Sequence, residues 1–301
     1  MLSFLSGPTP VERAPRLSVE IGLRADQLLI KRDDLIGLGG GGNKARKLQV
    51  TIEEALDAGA TTVVTTGALQ SNHARLTAAA AARVGLRAVL VLEGERPGRP
   101  TGNLLLEEVM GAELVFAGSG DIDGAVAQVM RRGAVHRIPF GGTSPKSAQA
   151  YRAAGLELLE QVPDLGMVVV AVGSGGTMAG LVAALGPERV IGAHTGAVED
   201  PFGIIAGLLA DMGAAGGDRL RIAVDHVGAH YETPGPEVRD ALLLTARSEG
   251  VILDPIYTAR AMAALVRAAG RGEMGDAPVV FWHTGGMPGL FGHPELVLAD
   301  A

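Results

Sequence analysis

The stretch from Lys31 to Lys47, KRDDLIGLGGGGNKARK, joins a run of four glycines to a basic helix start. Gly39, Gly40, Gly41 and Gly42 carry no Cβ, so the backbone there can turn sharply and lie close to a ligand while delivering Asn43 and Lys44. A lysine partly desolvated among cations, here Lys47, Arg46 and Lys31, gives up its proton more readily. The neutral amine then adds to carbonyls and makes imines. The same run also suits a flexible loop or a phosphate cradle, so other segments must decide.

Three further constellations bear on chemistry. In VVVAVGSGGTMAG (168–180), Gly173, Ser174, Gly175, Gly176 and Thr177 stand between an apolar strand and an apolar helix. Their N–H groups can converge on an anion at the helix N-terminus, and the hydroxyls suit phosphate better than packing. The loop lacks the Lys-Ser/Thr of a nucleotide P-loop and the spaced glycines and downstream acid of a dinucleotide site. In TTGALQSNHARL (65–76), Gln70, Ser71, Asn72 and His73 open a helix after a strand; a plain N-cap at Ser71 or Asn72 accounts for them as well as a functional role does. Arg75 needs nothing beyond solvation. The third is split between LDPIYTARAM (253–262) and FWHTGGMPGLF (281–291). Tyr257, Thr258, His283, Thr284 and Gly285 sit at element ends, where ligand groups gather in open sheets; a half-buried Tyr257 with its hydroxyl paired and a core His283 account for those two as well.

The elements that would position these residues alternate. Helical spacing covers 47–58, 71–84, 103–110, 122–132, 147–161, 177–185, 202–212, 236–249 and 257–269. Strand-like runs cover 61–66, 87–93, 113–116, 136–140, 167–172, RVIGAH, LRIAVDHV (220–227) and PVVFWH. Alternation implies crossovers and mostly parallel sheets in two α/β units. The break is expected between 141 and 150, with the N-terminal segment joining the later lobe: 1–46 plus 147–301 as a large unit and 47–146 as a small one.

With 301 residues, 47% hydrophobic and only 3% aromatic, the core must be packed by Ala, Val, Leu and Ile. Net charge −7 argues against a broad nucleic-acid or anionic-membrane surface. With no cysteine there is no disulfide, thiolate nucleophile or Cys-ligated metal, and no metal site is expected. No run reaches the ~20 apolar residues that span a bilayer, and MLSFLSG is too short for an export signal. Cytoplasm is expected.

KRDDLIGLGGGGNKARKL, GALQSNHARLTAA, the GSGGT loop, LDPIYT and HTGGMPGLF occur in that order from about Leu29 to Phe291. Together they resemble the pyridoxal-phosphate (PLP) enzymes of the D-cysteine desulfhydrase and 1-aminocyclopropane-1-carboxylate deaminase family. The resemblance implies the tryptophan-synthase β-like fold (fold type II): two open, twisted, mostly parallel sheets with the active site in the cleft between them. It also implies a small amino-acid substrate and a homodimer.

On that resemblance Lys44, beside Asn43, holds the cofactor covalently and then moves the proton at Cα. Asn72 would hydrogen-bond the cofactor O3′. Ser71, with Gln70 and His73, would face the substrate carboxylate or reacting carbons. Gly173 to Thr177 would form the phosphate cup. Tyr257 and Tyr231 would be the active-site tyrosines, and Thr258 would approach the pyridine nitrogen. Thr284 and Gly285 would border the substrate. The deaminases are expected to carry a glutamate at position 258 and a leucine at 284; the two threonines match the desulfhydrases. A weaker electron sink favours loss of a good β-leaving group, so the implied reaction is D-cysteine to pyruvate, ammonia and sulfide. Cyclopropane ring opening, β-substitution and racemisation are the alternatives on the same scaffold. Departures fall at ERPGRPTGN (95–103), GGTSPK (141–146), HTGAVEDPFG (194–203) and 229–232, where substrate selection is expected.

Overall fold

Strands and helices alternate along the chain as the periodicity predicts, but the strands sort into two separate sheets. The computed structural model describes every residue except Met1, Ser119, His226, 229–232 and 299–301. The strands are β1 (Val11–Arg13), β2 (Leu28–Arg32), β3 (Thr62–Ala68), β4 (Arg87–Glu93), β5 (Glu113–Phe116), β6 (Val135–Arg137), β7 (Met167–Val172), β8 (Val190–His194), β9 (Arg221–Ala223) and β10 (Val279–His283). One sheet runs β1-β2-β10-β7-β8-β9 and the other β5-β4-β3-β6. All pairings are parallel except β1 with β2.

The apolar runs MVVVAV and VVFWH become β7 and β10, neighbours inside the six-stranded sheet with every residue buried. Strands covered on both faces read as continuous hydrophobic stretches, as these do. On one face, Val238, Ala241, Leu242, Ala259, Met262 and Leu265 of helices Pro236–Glu249 and Thr258–Gly270 pack on the sheet. On the other, helices Pro145–Gln161 and Gly176–Leu185 meet at Gly180, where a Cβ would lie 2.4 Å from the Ala148 carbonyl oxygen. The four-stranded sheet is covered by helices Lys44–Asp57 and Asn72–Val84 on one face and by Ile122–Met130 on the other.

Two expectations change. The segment before the glycine run supplies β1 and β2, whose short span of alternation left no strong periodic signal. Of the expected strand 220–227, Arg221–Ala223 is extended, an edge strand bonded among the described residues only to β8, while His226 lies outside them.

Directly after β2, Asp33 is fully buried and ties the lobes' connection together. Its carboxylate accepts from Thr9 Oγ1 at 2.9 Å, Arg46 Nη2 at 3.1 Å, Tyr151 Oη at 2.5 Å and Trp282 Nε1 at 2.9 Å. Burial works to raise its pKa, but Arg46 and the hydrogen bonds from Tyr151 and Trp282 outweigh burial and hold it below the ordinary carboxylate value. Glu157 completes the cluster by pairing with both Arg46 and Lys31.

Asp33→Ala leaves Arg46, Tyr151 and Trp282 donors without their acceptor and should cost on the order of 3 kcal/mol. Because the folded-state pKa is depressed, the contribution is present above the unfolded value of about 4 and is lost as pH falls through the folded one. Thermal melts at pH 7 should show the variant several degrees below the parent, with the gap closing in acid; equal midpoints at pH 7 contradict this.

Candidate active site

Four glycines earn their place in the loop that presents Lys44. Gly39, Gly40, Gly41 and Gly42 all have positive φ, between 51° and 128°, a region other L-residues rarely enter. At Gly41 a Cβ would sit 2.0 Å from the Asp34 carbonyl oxygen. Arg75 clamps the loop by donating to the carbonyls of Gly39 and Gly41. Read from sequence as merely solvated, Arg75 is in fact fully buried. The chain then passes against the turn after β10: Asn43 N donates to Thr284 O at 2.9 Å, and a Cβ on Gly285 would meet Gly42 Cα at 2.6 Å.

Lys44 opens the helix Lys44–Asp57, and its Nζ lies 5.3 Å from the centre of the Tyr257 ring. Its pKa is lowered to about 8, first by burial; the Asp254 carboxylate opposes this and the Arg75 guanidinium adds to it. The partial positive charge of the helix N-terminus acts in the same sense. The cations expected to depress it differ from those found. Lys31 and Arg46 are neutralised by Glu157 and Asp33, whereas Arg75, from the facing helix, acts on Lys44 directly.

The 173–177 loop leads from β7 into the helix Gly176–Leu185. Gly175 has φ +83°, and a Cβ on Gly176 would come within 2.9 Å of Thr143. The GGTSP segment, read from sequence as a plain loop, closes over it: Ser174 Oγ lies 2.7 Å from Thr143 Oγ1, and Asn43 Nδ2 donates to Thr177 Oγ1 at 3.0 Å. Lys47 reaches the same place, donating to Gly141 O at 2.5 Å and Thr143 Oγ1 at 2.8 Å. Lys47 is fully buried, with its pKa pushed well down by burial and then by Lys44. Among the described residues no carboxylate opposes that shift. Asn43, Lys44, Lys47, Gly173, Ser174, Gly175, Thr177, Tyr257 and Thr284 thus line one crevice. Two amines and a helix N-terminus with too little negative charge form a cradle for a dianion such as a phosphate monoester.

The 70–73 segment divides. Ser71 caps the helix Asn72–Val84, accepting from Ala74 N at 3.1 Å, and also lines a neighbouring cavity. Asn72 is buried with its Oδ1 receiving Asn103 Nδ2 at 3.0 Å. Gln70 turns away, donating to Thr101 O and accepting from Asn103 N, and lines neither crevice nor cavity. His73 is buried beneath the site with Nε2 2.8 Å from Thr65 Oγ1; burial first, then Lys47 and Lys44, push its pKa well down. His73 does not line the cavity either.

Among the C-terminal candidates, Tyr257 borders both crevice and cavity. Thr258 is fully buried; its hydroxyl donates to Asp254 Oδ1 at 2.6 Å and accepts from Asp254 N at 2.8 Å. Asp254 also receives Tyr257 N and Ile256 N, holding the turn. His283 is committed to the fold, with Nε2 on Ile252 O and Nδ1 accepting from Gly285 N. Tyr231 falls outside the described residues. The cavity itself, about 700 Å³, opens where the carboxyl ends of β3 and β4 face Gly196, Ala197 and Tyr257 of the other sheet's loops. Sequence reading missed Asp254, Arg75 and the Lys47 contact. The Asp-Pro pair at 254–255, a turn initiator, was the one available signal.

A family model described as pyridoxal-phosphate dependent enzyme matches residues 2–285. The chain belongs to the pyridoxal-phosphate dependent enzyme family. The D-cysteine desulfhydrase of Salmonella typhimurium is 37% identical over 323 aligned positions, covering 98% of this chain and 97% of that protein. A crystal structure described as an ACC deaminase homologue superposes with TM-score 0.88 at 34% identity, covering 99% of this chain and 95% of that one. The processed threonine deaminase isoform 2 of Solanum lycopersicum, at 18% identity and TM-score 0.69 over 93% and 84% of the two chains, shares the fold alone. The residues fit the family's cofactor: a primary amine of lowered pKa lies beside an aromatic ring, and an anion cradle adjoins it.

Lys44 in the cofactor-free protein should react with a small amine reagent at half its maximal rate near pH 8, followed by peptide mass spectrometry. A half-point near the ordinary lysine value of 10.5 contradicts the burial argument.

Proposed function

We propose that the protein eliminates a β-thiol from a D-amino acid, converting D-cysteine to pyruvate, ammonia and sulfide. The observation that carries this reading is the position of the Lys44 amine, of pKa about 8, over Tyr257 at the junction of the anion crevice and the cavity. Near-full-length similarity to a D-cysteine desulfhydrase supports the leaving group. When bound, pyridoxal phosphate supplies the electron sink that makes the Cα proton acidic.

The chain's own residues supply the rest. The 173–177 amides, Ser174, Thr177 and Lys47, which line one crevice, would hold the phosphate. Asn72, which like Gln70 and His73 lines neither crevice nor cavity and whose Oδ1 takes Asn103 Nδ2, would offer its amide nitrogen to the cofactor's ring hydroxyl. Lys44, which would hold the cofactor, would also supply the amine that takes the Cα proton. Ser71 and the N–H groups of its helix grip the substrate carboxylate, and Tyr257 packs beside the ring. The Cβ–S bond breaks with the electron pair leaving on sulfur, which is protonated; tautomerisation and hydrolysis of the released enamine give pyruvate and ammonium. Thr258 already donates to Asp254 and accepts its N–H, so its hydroxyl would have one lone pair left to accept from a protonated pyridine nitrogen. A single neutral acceptor there suits an early-departing leaving group. Gln70 and His73 act behind this shell by holding the 101–103 segment and β3. A division at 1–46 plus 147–301 and 47–146, a homodimer and a cytoplasmic location complete the reading. No helix among the described residues is long and apolar enough to cross a membrane.

Cyclopropane ring opening is the second reading, favoured by the TM-score of 0.88 to the ACC deaminase homologue. D-cysteine should yield pyruvate and sulfide in equal amounts. The cyclopropane amino acid should yield no 2-oxobutanoate, and the converse pattern reverses the two readings. Lys44→Ala should lower turnover by on the order of 10³-fold or more and lose the visible absorbance of the lysine-bound cofactor. A variant that keeps both removes Lys44 from its role.

A further inference from the structure

The substrate cavity is larger than D-cysteine needs and is unevenly charged. Its described lining is apolar or small along Leu69, Ile122, Phe140 and Ala197, with the hydroxyls of Thr66, Ser71, Thr233 and Tyr257. Glu93 is the one charged side chain in that lining, and no lysine or arginine accompanies it. Glu93 is the last residue of β4, exposed, and in register with Ala68 of β3, just before the Ser71 cap. Alternation along β4 puts its side chain on the face of Val89 and Val91, the side covered by the Ile122 helix. Among the described residues no hydrogen bond or ion pair engages its carboxylate. A solvated charge with no structural partner inside a binding cavity is free to meet a ligand charge.

We infer that Glu93 selects the far end of the substrate: the cavity takes β-thio D-amino acids whose sulfur carries an extended substituent ending in a cation. This rests on the elimination reading. The elimination reading puts the substrate carboxylate at Ser71; Glu93, opposite Ala68 on the neighbouring strand, turns its side chain to the other face of the sheet from the Ser71 helix, on the side of Ile122, so a substituent on sulfur that follows that side reaches it. There the apolar wall of Leu69, Ile122 and Phe140 accommodates methylenes, and Glu93 meets the terminal ammonium. For S-(2-aminoethyl)-D-cysteine the step balances without any oxidant: the Cα proton is lost, the Cβ–S bond breaks, 2-aminoethanethiol leaves with the electron pair and is protonated, and water releases pyruvate and ammonium.

The experiment compares S-(2-aminoethyl)-, S-ethyl- and S-carboxymethyl-D-cysteine on the holoenzyme, reading pyruvate for kcat/KM and the cofactor's absorbance change for Kd. An exposed ion pair predicts an aminoethyl-to-ethyl ratio of about threefold to fivefold in either readout, a carboxymethyl analogue below both, and a ratio that shrinks in high salt. Glu93→Gln should bring the ratio to about one, with retained cofactor absorbance confirming that the variant is folded. A parent ratio of one or less, or the same ratio in Glu93→Gln, overturns the assignment. Should D-cysteine itself give no pyruvate, the elimination reading fails, while the Kd ratios still decide for or against Glu93.

Discussion

Lys47 sits in the interior with no carboxylate beside it among the described residues and another amine, Lys44, close by. Burying an uncompensated charge is among the most costly things a fold can do. The protein relieves the cost in two ways that are mutually compatible. Burial weakens the hold of both amines on their protons, and the glycine-rich N-terminus of the 176–185 helix is aimed at the same point, so that a bound dianion would oppose the positive charge that remains. Much of the surrounding structure follows from that demand. GGTSP folds over the loop, Asn43 ties Lys44's backbone to Thr177, and Gly176 is small because Thr143 stands where a Cβ would be.

The second constraint is geometric. Lys44 belongs to a helix that packs on the four-stranded sheet, while its cradle belongs to the six-stranded one. Three ties hold the junction: the Arg75 clamp on the glycine run, the contact of residues 42–43 with 284–285, and the Asp33 node beneath them. Tyr151 belongs to two of these systems, with its hydroxyl 2.5 Å from Asp33 and 3.1 Å from the Asn43 carbonyl. The Lys44 amine is therefore held from both sides of the cleft.

Much of this was legible in the sequence because the signals were local. Apolar runs at 167–172 and 279–283 marked central parallel strands, Gly85 marked a helix stop with φ +77°, and Ser71 marked a cap. What escaped was set by contacts between distant segments. Nothing adjacent to Arg75 says that its guanidinium will find the carbonyls of Gly39 and Gly41, and nothing beside Lys31 says that Glu157 will neutralise it. The direction of Gln70 depends on Asn103, thirty-three residues away. The 194–203 segment, without a recognisable counterpart in the sequence, has an ordinary explanation in part: Asp200 caps the helix Pro201–Asp211, and Gly196 and Ala197 border the cavity.

The chain has four lysines, at positions 31, 44, 47 and 146, so the covalent claim can be put to a direct choice. Borohydride reduction of the holoenzyme, proteolysis and peptide mass spectrometry should find the pyridoxyl group on Lys44 alone. A label on Lys47, Lys31 or Lys146, with Lys44 unmodified, contradicts the account.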